Sequence, residues 1–326
     1  MTAVAQAAGA IAGVSAFVLA AELAYVAWKT PRLPPPDKSG HDFEPEGILV
    51  RYKNSNDDDG TNKDEGNSGR INQDDADEEF RLVLLGDSPV EGIGNEEHEV
   101  ALGGQAASAF ARMLNRPVRY WSYGKSGLTA GGIEEEIIPL LRRLVSADHV
   151  LPNAIVISCG VNNTLSAHSA DRYSGEVTSL LDAIDVCFAD KNAKAKQQMH
   201  VDDLPIIILM GLLDFSLMPF LPFPLSSVLG WKSRSLQRKM EEIVRDRSLY
   251  RGCQGRNSRR CKVVMAHLPP VSDVLDGSRH DLLENLDEEE VQSLVMDDFF
   301  AADGFHPAKH GTAMLGNIIS RAYMGV

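Results

Sequence analysis

From Phe80 onward the chain alternates short β-branched or aliphatic runs with longer amphipathic stretches, and this alternation limits its fold more tightly than any other feature. The runs at 81–85, 117–122, 154–158, 205–210 and 262–267 read as strands. Helical patterns lie between them near 98–115, 132–145, 170–190 and 233–249, with a last one near 307–323. Five strands separated by helices predict an α/β fold: a parallel, doubly wound sheet covered by helices on both faces. In such sheets ligands bind beyond the carboxyl ends of the strands. The residues that follow each run are therefore where chemistry is expected.

The chain before Phe80 has a different character. The stretch from Ala7 to Trp28 carries a single charge, Glu22, and is about long enough to cross a bilayer core of ~30 Å. Residues 1–30 are therefore expected to form a transmembrane anchor. Lys29 and Arg32 directly after it favour a cytosolic catalytic domain by the positive-inside bias. Residues 31–79, Pro-rich and then acidic, are expected to be a disordered linker. Between residues 41 and 80 there are 13 acids and 4 bases, so most of the chain's formal charge of −14 belongs to this segment. The folded body, 80–326, is only mildly acidic, and an acidic protein has no general grip on nucleic acid.

Four blocks sit where the runs end. Gly86-Asp87-Ser88-Pro89 follows the first, Ser122-Tyr123-Gly124-Lys125-Ser126-Gly127 the second, and Gly160-Val161-Asn162-Asn163 the third, while Asp303-Gly304-Phe305-His306-Pro307 stands near the C-terminus. Taken singly, Ser88 reads as a helix N-cap, Gly124 as a turn glycine and Asn162 as a turn former. A serine hydroxyl becomes a nucleophile near neutral pH only when a positioned imidazole takes its proton, and the imidazole needs a partner that fixes its tautomer. Ser88, His306 and Asp303 are of the types required.

In this order the four blocks resemble the SGNH, or GDSL-type, hydrolase family over roughly residues 80–325. The resemblance implies a flavodoxin-like α/β/α sandwich with a five-stranded parallel sheet, the SGNH hydrolase fold. It also implies a catalytic triad of Ser88, Asp303 and His306, with an oxyanion hole made by the backbone N–H groups of Ser88 and Gly124 and the amide of Asn162. Pro89 excludes the α/β-hydrolase alternative, whose oxyanion hole uses the N–H of the residue after the nucleophile, because proline has none. Asn163 and Ser122 depart from the family's pattern, which often has an acid and an asparagine there, so the support of the hole is expected to differ.

The expected reaction is ester hydrolysis through an acyl-serine intermediate, without metal or organic cofactor. His306 and His310 lack the further ligands of a zinc site, and neither the phosphate-loop nor the dinucleotide motif is complete, so no nucleotide is expected. The segment 211–231 interleaves Phe215, Phe220 and Phe223 with Pro219, Pro222 and Pro224 and reads as a long apolar loop. Those three rings are the candidate substrate-binding residues, and with the anchor they favour lipid-like or medium to long acyl esters. A carbohydrate O-acetyl esterase and a non-catalytic membrane-tethered binding protein on the same fold are the alternatives.

Overall fold

In the computed structural model, residues 22, 31–36, 47–51, 79–189, 204–218, 220–254, 260–283, 286 and 288–325 are described. The strands are β1 (Ile48–Val50), β2 (Phe80–Gly86), β3 (Val118–Gly124), β4 (Ala154–Ser158), β5 (Ile206–Met210) and β6 (Lys262–Ala266). The helices are α1 (Ser88–Glu91), α2 (Leu102–Leu114), α3 (Ala130–Glu136), α4 (Ile138–Ser146), α5 (Val161–Leu165), α6 (Ala170–Ala189), α7 (Leu225–Gln254), α8 (Val271–Leu275), α9 (Glu288–Ser293) and α10 (Lys309–Met324).

The strands form one sheet in the order β1-β3-β2-β4-β5-β6, parallel except for β1. The five parallel strands follow the flavodoxin-like order, in which the chain leaves β2 in one direction to build β3 and returns past it to build β4. The central strands β2 and β4 are buried on both sides, as parallel strands are when helices cover both faces. One core lies between the sheet and α3, α4, α6 and α7, and includes Val83, Trp121, Ile155, Leu180 and Leu236. The other lies between the sheet and α2 and α10, and includes Leu82, Phe110, Tyr120, Ile208 and Ile318. Gly86 of β2 pairs with Gly124 of β3 and Ser158 of β4, so three strands end at one level. The register thereby sets the first three blocks side by side.

The five expected parallel strands are present, and two details differ. First, among the described residues a sixth strand joins the sheet, because Ile48–Val50 pairs antiparallel with Val118–Tyr120 at its edge. The 31–79 segment is thus not a linker throughout. Ile48 and Val50 pack on the second core, and Pro36 is buried with its ring against Gly92. A three-residue aliphatic run suffices where it only has to satisfy the open hydrogen-bonding edge of β3. Second, the helix expected from residue 233 begins at Leu225, so the last third of the segment 211–231 is helical.

The anchor assigned to residues 1–30 lies outside the described residues except at Glu22. The Glu22 carboxylate accepts the Leu225 N–H at 3.1 Å, at the N-terminal end of α7, where a negative charge is favoured. Among the described residues no helix is long and apolar enough to cross a membrane.

Candidate active site

The nucleophile candidate leaves β2 at a sharp corner. Asp87 is extended, Pro89 supplies a preset φ in the first turn of α1, and Gly92 ends the helix in the left-handed region. This one-turn helix is pinned by Ser122, whose hydroxyl donates to the Val90 carbonyl at 2.7 Å. Gly124 lies against the same turn so closely that a Cβ would sit 2.2 Å from the Glu91 nitrogen. The second block therefore supports α1 directly, and any side chain at 124 would displace it.

His306 and Asp303 come from a loop closed by the Phe300–Pro307 bridge and by the Ala301 N–H donating to the His306 carbonyl at 2.8 Å. Asn95, just after α1, donates to the Pro307 carbonyl at 3.1 Å and ties this loop to the first block. Gly94, at φ +94°, leaves room for the His306 Cβ, which a side chain there would meet at 3.1 Å.

The result is a chain of hydrogen bonds. Ser88 Oγ lies 2.8 Å from His306 Nε2, and His306 Nδ1 lies 2.5 Å from Asp303 Oδ2. The other Asp303 oxygen accepts the backbone N–H groups of Phe305 at 2.9 Å and His306 at 3.0 Å. Burial alone would raise the Asp303 pKa, but the His306 ring and these N–H groups outweigh it and hold the carboxyl below its ordinary value. Its side chain is 2% exposed and that of His306 18%. A serine, an imidazole and an ionised carboxylate so arranged can pass a proton from the hydroxyl to Nε2 while Nδ1–H stays fixed on the carboxylate.

Asn162 opens α5 beside this array, and its amide donates to Asp87 Oδ2 at 3.2 Å and to the Leu128 carbonyl at 2.9 Å. Both acceptors are oxygens, which fixes the amide's orientation. Asn163, where an acid was expected, receives the Ala130 N–H on its carbonyl and donates to Glu176 at 2.8 Å, so the carboxylate comes from α6 instead.

Of the three rings assigned to substrate binding, the structure brings one to the site. Phe215 lines a narrow cavity of about 60 Å³ beside Ser88 and His306, together with Val161, Met210, Leu212 and Met218. Phe220 packs edge-on against Phe305, with ring centroids 5.8 Å apart. Phe223 is 80% exposed and lines neither this cavity nor the triad. The proline-interleaved pattern marks an apolar segment without saying which rings point inward.

The sequence reading missed Asp87 and Ser158. Asp87 is fully buried and accepts the Ser158 hydroxyl at 2.9 Å as well as the Asn162 amide. Burial pushes its pKa up to about 6, against the pull of Ser158, Asn162 and nearby His306. The folded protein therefore binds this proton more tightly than the unfolded chain does. The stability linked to it is fully present below the ordinary carboxylate value near 4 and is lost as the pH rises through about 6. Asp87→Asn keeps the shape and removes the ionisation. It is expected to stabilise the protein at pH 8, by at most ~3 kcal/mol given that each tenfold change in proton affinity corresponds to ~1.4 kcal/mol, and to leave stability at pH 4 near that of the parent. Urea unfolding at both pH values measures this, and an equal difference at the two would show that the buried charge is not its source.

A family model for GDSL-like lipases and acylhydrolases matches residues 82–319. Among curated proteins no relative is found. Solved structures with a similar fold include TesA (14% identity, 75% of this chain and 98% of that one, TM-score 0.46). A lipase/acylhydrolase from Enterococcus faecalis is similar at 17% identity, over 76% of this chain and 96% of that one, with a TM-score of 0.41. A family 3 carbohydrate esterase from Clostridium thermocellum is similar at 13% identity, over 76% and 96%, with a TM-score of 0.47.

Proposed function

We propose that this chain, which belongs to the GDSL-like lipase/acylhydrolase family, is a serine esterase that hydrolyses carboxylic esters with an apolar acyl group. The observation that carries the reading is the continuous array from Ser88 Oγ through His306 to Asp303. In the first half-reaction Ser88 Oγ bonds to the ester carbonyl carbon and its proton moves to His306 Nε2. The N–H groups of Ser88 and Gly124 and the amide of Asn162, released from its long bond to Asp87, would stabilise the oxyanion. Collapse breaks the bond to the leaving alkoxide, which takes the proton from His306. Water then repeats the sequence on the acyl-serine and releases the acid.

The acyl preference is supported by the walls beside Ser88. Leu212, Leu213, Phe215 and Met218, all from the apolar segment after β5, line the cavity there. A sugar would meet few groups able to pair with its hydroxyls. The residues of the expected anchor would locate the enzyme at a membrane, with the catalytic domain on the cytosolic side. Initial rates on p-nitrophenyl esters of acetate, octanoate and laurate, beside an acetylated xylo-oligosaccharide, test the reading. Hydrolysis of the acyl esters is expected to exceed that of the acetylated sugar. The reverse order would establish a carbohydrate deacetylase.

A further inference from the structure

A second cavity of about 290 Å³ lies beyond the one at Ser88, between the segment after β5 and the segment after β6. Its apolar wall includes Leu217, Pro269, Pro270, Val271 and Met296. The two cavities have Leu212, Leu213, Met218, Leu268 and Phe300 in common, so they adjoin across side chains. Met218 is among these, and an unbranched thioether is the kind of side chain that adapts to an entering chain.

The polar side chains on the larger cavity are already engaged. Asp214 accepts from Ser216 and from Arg234, at 2.9 and 2.8 Å from the latter. Gln237 accepts the Leu212 N–H at 2.8 Å and donates to Glu241 at 2.9 Å. Ser233 donates to the Gly230 carbonyl at 3.1 Å and accepts the Phe215 N–H, and Ser272 donates to Asp273. Apart from the half-exposed Arg234, whose guanidinium has further N–H groups, a ligand that needed hydrogen bonds would have to compete with these, whereas a hydrocarbon chain needs none.

Resting on the esterase reading above, we propose that this chamber holds the distal methylenes of the substrate's acyl chain, which runs from Ser88 past Met218 and Phe300 into it. The cavity at Ser88 then takes the first carbons and the chamber sets chain-length preference. The natural substrate class is a medium to long fatty acyl ester.

The test uses the full chain and the ratio of kcat/KM on p-nitrophenyl laurate to that on the acetate. Wild type is expected to favour the longer chain by well over tenfold, since each buried methylene contributes roughly three- to fourfold. Val271→Trp fills the chamber from the β6 side and Met296→Trp from the opposite segment, and either should lower the ratio about tenfold or more. The second variant serves if the first does not fold, as judged by its melting curve. A ratio that neither folded variant changes overturns the chamber, as does a wild-type rate that falls steadily from acetate to laurate. In both cases measurable acetate hydrolysis leaves the esterase reading standing. Absence of activity on every ester would instead remove the reading on which the chamber rests.

Discussion

Replacing Ser88 with alanine is expected to lower kcat by roughly 10⁵- to 10⁶-fold and to leave the fold intact. The hydroxyl is bonded to His306 Nε2 at 2.8 Å, and Ser88 is 6% exposed at the mouth of a cavity, so its loss opens no void in either core. The corner that carries it is held by other groups: the Ser122 hydroxyl on the Val90 carbonyl, and the Val90 and Glu91 N–H groups on the Asp87 carbonyl. His306→Ala should cost nearly as much, because an imidazole without a nucleophile and a nucleophile without an imidazole are equally idle. The double variant should then be little worse than either single one. Steady-state rates on a short soluble ester check this, and losses that multiply would mean that the two residues do not share one mechanism.

Asp303→Asn is expected to cost about 10⁴-fold in kcat at neutral pH while changing the geometry hardly at all. The carboxylate has two tasks here. One oxygen accepts two backbone N–H groups, and the other faces His306 Nδ1. In the variant the amide oxygen must take the backbone N–H groups, since an amide nitrogen cannot accept them, and the NH₂ is left facing Nδ1. That pairing makes Nδ1 the acceptor and moves the ring proton to Nε2, which can then no longer take a proton from Ser88. The folded stability should fall only modestly, whereas activity collapses. A loss of activity confined to KM would show that Asp303 acts on substrate binding rather than on the imidazole.

The parallel sheet was legible because its strands are short hydrophobic runs, unbroken and aliphatic in β5 and nearly so in β4, and because β2, β3 and β4 are each followed by a block of small and polar residues. The blocks were legible for the same reason, since a Gly-Asp-Ser-Pro or a Gly-Val-Asn-Asn after such a run has no packing role to explain it. The edge strand Ile48–Val50 was not, because three aliphatic residues beside a long acidic stretch carry no periodicity. The start of α7 was hidden by Pro222 and Pro224, which sit before its first residue but read as breakers within it. Asp87 was hidden in a different way. Its burial depends on Ser158, which is 71 residues away in sequence and meets it only because β2 and β4 end at one level. The same holds for Asn95 and Ser122, whose partners are backbone carbonyls that only the fold brings within reach.

The central claim, that Ser88 is a nucleophile activated by His306 and Asp303, is tested most directly by covalent trapping. The full chain, treated with a fluorophosphonate and digested, is expected to carry one phosphonyl adduct on the peptide containing Ser88, at a rate at least a thousandfold above that of Ser88→Ala or His306→Ala. Mass spectrometry of that peptide assigns the modified residue. An adduct on another serine, or labelling of the parent no faster than of the two variants, would contradict the account.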